Sequence, residues 1–221
     1  MDEDGGDAQE ADEINKVGSV IVAGTGRFGQ VVNRLVTLAG IKTVVLDHDL
    51  KKIELMRAFG FKGFLGDPTR PELLHAAGLA HARVLVVALD DKEACLKLVR
   101  YARATRPDLN IVARARDRTH VYALYRAGAD DIVRELFDSS LRAGRYVIEN
   151  MDFSDFEANE IEKTFFSHDR YAIKELAEVW DPDKALRDNA AYMERARALN
   201  AEPEAALVER LDENSRTGTE G

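Results

Sequence analysis

Short runs of consecutive apolar residues alternate along this chain with longer stretches whose apolar positions recur every three or four residues. The runs are Val20–Ala23, Thr43–Leu46, Phe61–Leu65, Val84–Leu89, Ile111–Ala115 and Asp131–Val133. Unbroken rather than alternating hydrophobicity marks strands covered on both faces, as in a parallel sheet. Between them the spacing predicts helices: one from Arg27, Leu50–Phe59, a short one after Thr69, Lys92–Arg106 and Thr119–Ala127. Strand–helix alternation of this kind specifies an α/β fold, a Rossmann-like doubly wound parallel sheet, finished near residue 133. In the first helix Val32, Leu35, Val36 and Ala39 form the expected inner stripe, opposed by Arg27, Gln30, Arg34 and Thr37. Asp49 is the expected cap of the second helix and Gly60 its stop, and Thr69 with Glu72 has the spacing of a capping box. Asp90 and Glu93 are expected to open the fourth.

After residue 133 the pattern changes. Leu136, Phe137, Leu141, Tyr146, Val147, Ile148 and Met151 give a helix an apolar surface that a completed sheet does not need. Ser154–Val179 and Pro182–Ala198 read as two more helices. Amphipathic helices appended to a finished sheet commonly bury their faces against a second subunit, so a homodimer is expected. The resulting division is an acidic linker (1–17), a nucleotide-binding domain (18–137), dimerisation and peripheral helices (138–198), and an acidic tail (199–221), both ends reading as disordered.

The first strand feeds Gly24-x-Gly26-x-x-Gly29, and the second ends in Asp47, eighteen positions on. That order is a dinucleotide fingerprint with a mechanical reason for each residue. Gly24 permits a tight turn, Gly26 lets backbone approach a phosphate, and Gly29 lets the helix pack on the strand. Amides at the start of the helix then hold the anion. A carboxylate at Asp47 can accept both hydroxyls of a ribose, and its replacement by alanine is expected to remove those bonds while sparing the fold. Acidic Asp49 nearby argues for NAD or AMP over a 2′-phosphorylated cofactor. Asp67, after the third strand, either contacts the nucleotide or fixes a turn. The cluster Arg114-Ala-Arg116-Asp117 ends another strand and faces the same expected crevice.

Charge and composition narrow the functions. The formal charge of −9 resides at the ends, about −6 over residues 1–18 and −4 over 198–221, so no basic face advertises nucleic acid. The one cysteine, Cys95, sits in a helical pattern and reads as packing, in a reducing compartment. No apolar run exceeds about six residues, against the roughly 20 that span a bilayer, and the N-terminus lacks a signal-peptide pattern. As given, the chain reads as soluble and cytoplasmic. For an enzyme the sequence is poor. No tyrosine has a lysine four residues on, Tyr171 and Lys174 being three apart, and no Gly-x-Ser-x-Gly elbow occurs. Scattered histidines and one cysteine offer no metal site. No catalytic residue is assigned, and a dehydrogenase-like enzyme remains the less favoured reading.

Gly26-Arg-Phe-Gly-Gln, Val45-Leu-Asp-His-Asp, Gly66-Asp-Pro-Thr-Arg, Ala113-Arg-Ala-Arg-Asp and Arg134-Glu-Leu-Phe together resemble the regulator of potassium conductance (TrkA-N type) domain. In particular they are similar to the cytoplasmic domain of Kef-type glutathione-gated potassium–proton antiporters, over about residues 18–180. The resemblance implies a dimer that binds AMP or NAD(H), held closed by glutathione and opened by its S-conjugates. It implies a membrane antiporter domain as partner at the cytoplasmic face of the inner membrane, and a flavodoxin-like ancillary oxidoreductase subunit. Carried over by residue, nucleotide contacts fall on Gly24, Gly26, Arg27, Phe28, Gly29, Asp47, Asp67 and Asp117. Glutathione contacts fall on Arg34, Phe59, Arg134 and Asp169. By pattern alone Arg34 is a solvated charge and Phe59 part of a core stripe; the resemblance gives both a ligand. Asp169 stands where the family is expected to carry asparagine, exchanging an amide donor for a carboxylate. The alternative within the same class is a peripheral subunit gating a potassium channel or uptake system through nucleotide alone.

Overall fold

The computed structural model describes residues 19–61 and 63–201. Six parallel strands are β1 (Val20–Ala23), β2 (Thr43–Asp47), β3 (Gly63–Leu65), β4 (Val84–Val87), β5 (Asn110–Ala115) and β6 (Asp131–Arg134). They lie in the order β3-β2-β1-β4-β5-β6. Helices α1 (Arg27–Leu38), α2 (Leu50–Ala58), α3 (Pro71–Ala76), α4 (Lys92–Thr105) and α5 (Arg118–Ala127) connect them. This is the doubly wound sheet that the apolar runs predicted. The order reverses between β1 and β4, and at such a switch point a crevice opens beyond the carboxyl ends of the strands. Ile21, Val22, Val45, Leu85 and Val87 are wholly buried. Covering them is the dominant favourable contribution to this unit's stability.

Several local expectations shift, each for a physical reason. The third strand begins at Gly63 rather than Phe61, because the Phe61 amide turns back onto the Met56 carbonyl (3.0 Å) and closes α2. No capping box forms at Thr69. Its amide and hydroxyl both donate to Asp67 Oδ1 at 2.9 Å, and α3 starts after Arg70. The cap of α4 is Asp91, which accepts from the Ala94 amide at 2.7 Å, leaving Asp90 for other partners.

The largest shift is the rotation of α1. Val32 and Val36 do pack on the core, but Leu35 and Ala39 are exposed, together with Val31 and Leu38. Gly29 decides this. A β-carbon there would sit 2.0 Å from the Gly24 carbonyl oxygen, so this side of the helix lies hard on the strand. At about 100° per residue, Val32, Asn33 and Val36 share the Gly29 side and Leu35, Leu38 and Arg34 do not. Buried Asn33 is satisfied by accepting from the Thr43 hydroxyl at 2.7 Å.

Residues from Leu136 onward form a second unit. It contains α6 (Phe137–Glu149), α7 (Asp155–Val179), a 3₁₀ turn at Leu186–Asp188 and helical residues 190–201. The last helix starts eight residues later than the pattern from Pro182 suggested. Asn189 caps it, accepting from the Tyr192 amide (3.2 Å) while donating to the Val179 carbonyl (2.8 Å). It continues to residue 201, three residues into the expected tail; the remainder of that tail and the expected linker lie outside the described residues. Phe137 stacks on Phe165 and Phe166, and Arg145 pairs with Glu149 and Glu162. Tyr146, Val147, Met151 and Phe156 are exposed. No helix among the described residues is long and apolar enough to cross a membrane.

Ser154 and Glu157 form a reciprocal capping box at the start of α7, the longest helix among the described residues. Ser154→Ala should therefore lower stability by about 1 kcal/mol, read as a reduced urea midpoint with an unchanged slope.

Candidate functional site

At the crevice, β1 ends and α1 begins within three residues. Gly24 takes a φ of +101°, and a β-carbon there would lie 2.6 Å from the Ala88 carbonyl oxygen. Gly29 is held against Gly24 as described. Gly26 is different: its φ of −61° suits any residue, and the nearest atom to an added β-carbon is Asp90 Oδ2 at 4.0 Å. Two of the three glycines thus answer to the protein's own packing. The third has room for a side chain, so its smallness has use only if something else occupies the space above the turn.

Asp47 ties the turn to the second strand. Its Oδ2 accepts from the amide and hydroxyl of Thr25 at 2.7 and 2.8 Å, and its Oδ1 from the Asp49 amide at 2.9 Å. The side chain of Gln30 closes the loop by donating to the Thr25 carbonyl at 2.9 Å. Burial pushes the Asp47 carboxyl up. The amides of Thr25 and Asp49, the Thr25 hydroxyl and the charge of Lys52 outweigh this and hold it below the usual 3.8. A carboxylate has about four acceptor positions; three are taken, so one ribose hydroxyl, not two, fits what remains. Its replacement by alanine would remove these internal bonds along with any to a ribose. Thr25 had no motif of its own to single it out.

The other sequence candidates serve local structure in part. Asp67 fixes the turn after β3, and the Gly66 amide bonds the Asp47 carbonyl (2.8 Å), which holds this turn at the end of β2. Asp117 caps α5 by accepting from the His120 amide at 2.9 Å and pairs with Lys92. Burial raises its carboxyl, but Lys92, the His120 amide and Thr119 bring it down to about 2. Arg27 is exposed at the mouth of the crevice, and Phe28 is partly buried on the core. Beyond the turn stands a cluster that spacing did not expose: Arg114, buried, donates from Nη2 to Asp90 Oδ1 and Glu135 Oε2, both at 2.9 Å. Lys52 lies 4.0 Å from Asp90 Oδ2.

The residues assigned to glutathione are not brought together within the first unit. Arg34 is exposed on the outer side of α1, and Phe59, 70% exposed, caps the far end of α2. Phe59 is no core residue. Arg134 ends β6 at the opposite edge of the sheet, four strand spacings from β2, or roughly 19 Å. Asp169 is buried on α7 in the second unit. Among the described residues no group of His, Cys, Asp and Glu could hold a metal ion.

The TrkA-N domain family matches residues 20–135, and the potassium efflux system KefB C-terminal domain matches residues 139–220. The glutathione-regulated potassium-efflux system protein KefC of Cronobacter sakazakii is 43% identical over 196 residues, 88% of this chain and 31% of that protein. The protein of the same name from Escherichia coli O157:H7 is 40% identical over 97% of this chain and 34% of its own length. The chain thus spans about a third of the curated relatives it matches. Among solved structures, the Shewanella denitrificans Kef CTD in AMP bound form is 40% identical, with a TM-score of 0.68, covering 73% of this chain and 99% of that one.

The glycine geometry makes a graded prediction. Gly29→Ala should cost well over about 2 kcal/mol, because backbone must move. Gly26→Ala should cost less than about 1 kcal/mol, the usual penalty at a helix start. Denaturant unfolding of the two variants measures both. A second prediction concerns pH. Because the folded Asp47 carboxyl is held below its unfolded value of 3.8, its contribution is present above that pH and disappears as pH falls through the lowered value. Asp47→Asn should lose about 2 kcal/mol at pH 7, and the gap to wild type should narrow on acidification below 3.8.

Proposed function

The chain belongs to the TrkA-N domain family, in the branch that carries a KefB-type C-terminal domain, and on that premise we propose that it is the cytoplasmic ligand-sensing part of a Kef-type potassium efflux system. It binds AMP or NAD(H) at the Gly24–Gly29 turn, responds to glutathione and its S-conjugates, and acts on a membrane antiporter domain at the inner face of the membrane. It senses ligands and is not a catalyst. The observation that carries this reading is the match, over 73% of this chain and 99% of the other, to a Kef C-terminal domain solved with AMP. The geometry supports it through Gly26, the one glycine of the motif with open space above it.

In this reading residues 18–137 bind nucleotide, with Gly24, Gly26, Arg27, Phe28, Gly29, Asp47, Asp67 and Asp117 around the ligand, and 138–198 form the dimerisation and peripheral helices. The outer face of α1 and the exposed aromatic and apolar residues of α6 and α7 provide the material for a homodimer. In the same reading the residues that answer glutathione are Arg34, Phe59, Arg134 and Asp169. A flavodoxin-like oxidoreductase subunit is a further partner of this assembly.

The mass spectrum of small molecules released from purified protein should contain AMP or NAD(H); protein that neither retains nor takes up an adenine nucleotide would end this reading. Light scattering at micromolar concentration should give twice the chain mass, and Ile148→Asp, which places a charge in the expected contact, should halve it or unfold the protein. Glutathione should bind wild type and lose about tenfold or more in affinity on Arg34→Ala or Arg134→Ala, since a charge-assisted bond contributes about 1.5–3 kcal/mol. Asp169→Asn should tighten glutathione if the acid repels its carboxylates and weaken it if the acid holds its ammonium. Equal affinity in all these variants would remove glutathione from the account.

A further inference from the structure

The charged side chains beyond the glycine turn form a line across the crevice. Arg114 rises from the end of β5 and is 3% exposed. Its Nη2 holds Asp90 Oδ1 on one side and Glu135 Oε2 on the other, its Nη1 lies 3.4 Å from the Ala88 carbonyl oxygen, and its guanidinium is 5.9 Å from the Phe28 ring centre. A buried cation cannot leave such partners without a large desolvation cost, so Arg114 is a fixed anchor for Asp90. Arg116 adds a second restraint by donating from Nη1 to the Asp90 carbonyl at 3.1 Å. The second oxygen of the carboxylate, Oδ2, is therefore presented in one place, facing Lys52. It lies 4.0 Å from Lys52 Nζ and 4.0 Å from where a β-carbon on Gly26 would stand.

That place is the crossing between the two halves of the crevice. A nucleoside monophosphate ends at one phosphate, which the amides opening α1 and the charge of Lys52 can hold on the β1–β2 side. A dinucleotide must carry a second phosphate over Gly26 toward the ends of β4 and β5. There it meets an anchored carboxylate, and its second ribose meets the Arg114–Glu135 bridge. We propose that Asp90, held by Arg114, is a specificity-determining residue that admits a nucleoside monophosphate and turns away a dinucleotide. The proposal rests on the nucleotide reading above and narrows it.

The test is isothermal titration of the full chain with AMP and with NAD, for wild type, Asp90→Asn and Asp90→Ser. Asp90 is largely exposed and Arg114 keeps Glu135 as its partner, so both variants should fold with a lowered melting temperature, as their melting curves will show. Wild type should bind AMP at least about ten times more tightly than NAD. Both variants should shrink that ratio by about fivefold or more, through a gain for NAD. Wild type that binds NAD as tightly as AMP, or variants that leave the ratio unchanged, overturn the role of Asp90 while leaving nucleotide binding in place. Wild type that binds neither ligand removes the nucleotide reading itself, and this proposal with it.

Discussion

The first unit depends on how closely α1 approaches the strand that feeds it. At Gly29 the helix touches the Gly24 carbonyl so nearly that a methyl group would overlap it. That contact fixes the helix about its own axis. It sends Asn33 inward to Thr43 and turns Val31, Leu35 and Leu38 outward beside Arg34. One backbone constraint thus produces both the amide-lined turn on the inside and an apolar outer face carrying a cation. Neither surface could be changed by mutation of the helix without respecting the same rotation.

The elements were legible in the sequence because buried parallel strands need unbroken apolar runs and because each turn has its own chemistry. Six strands, their order of appearance and the glycine motif followed from that alone. What could not be read was orientation within an element. Leu35 fits an i, i+3, i+4 stripe as well as Val36 does, and only the Gly29 contact separates them. Asp67 and Asp117 could be placed at strand ends, yet whether a carboxylate there faces a ligand or its own backbone depends on where nearby amides point. Phe59 shows the opposite case, an aromatic whose spacing suggested core and whose position as a helix cap leaves it exposed. Arg114, Asp90 and Glu135 meet across more than twenty residues of chain, a juxtaposition that no local pattern encodes.

Acids crowd the carboxyl ends of the strands, and most of them answer to the chain's own donors. Asp47 holds Thr25 and Asp49, Asp49 and Asp117 cap helices, and Asp67 fixes a turn. An acid-rich crevice is a poor host for phosphate unless its charges are already engaged. Here the backbone does the engaging, which lets the helix amides and Lys52 set the field at the turn.

Cys95, the one cysteine in the sequence, is wholly buried in α4 and reaches the Leu89 carbonyl oxygen at 3.4 Å. Burial pushes its thiol up to about 11, so at neutral pH only about one molecule in ten thousand carries the nucleophilic thiolate. The chain therefore presents reactive electrophiles with no competent sulfur of its own. In the function proposed above, an electrophile would therefore act through the conjugate it forms with another thiol, not through a bond to Cys95, and release of that conjugate, with no covalent repair, would reset the chain.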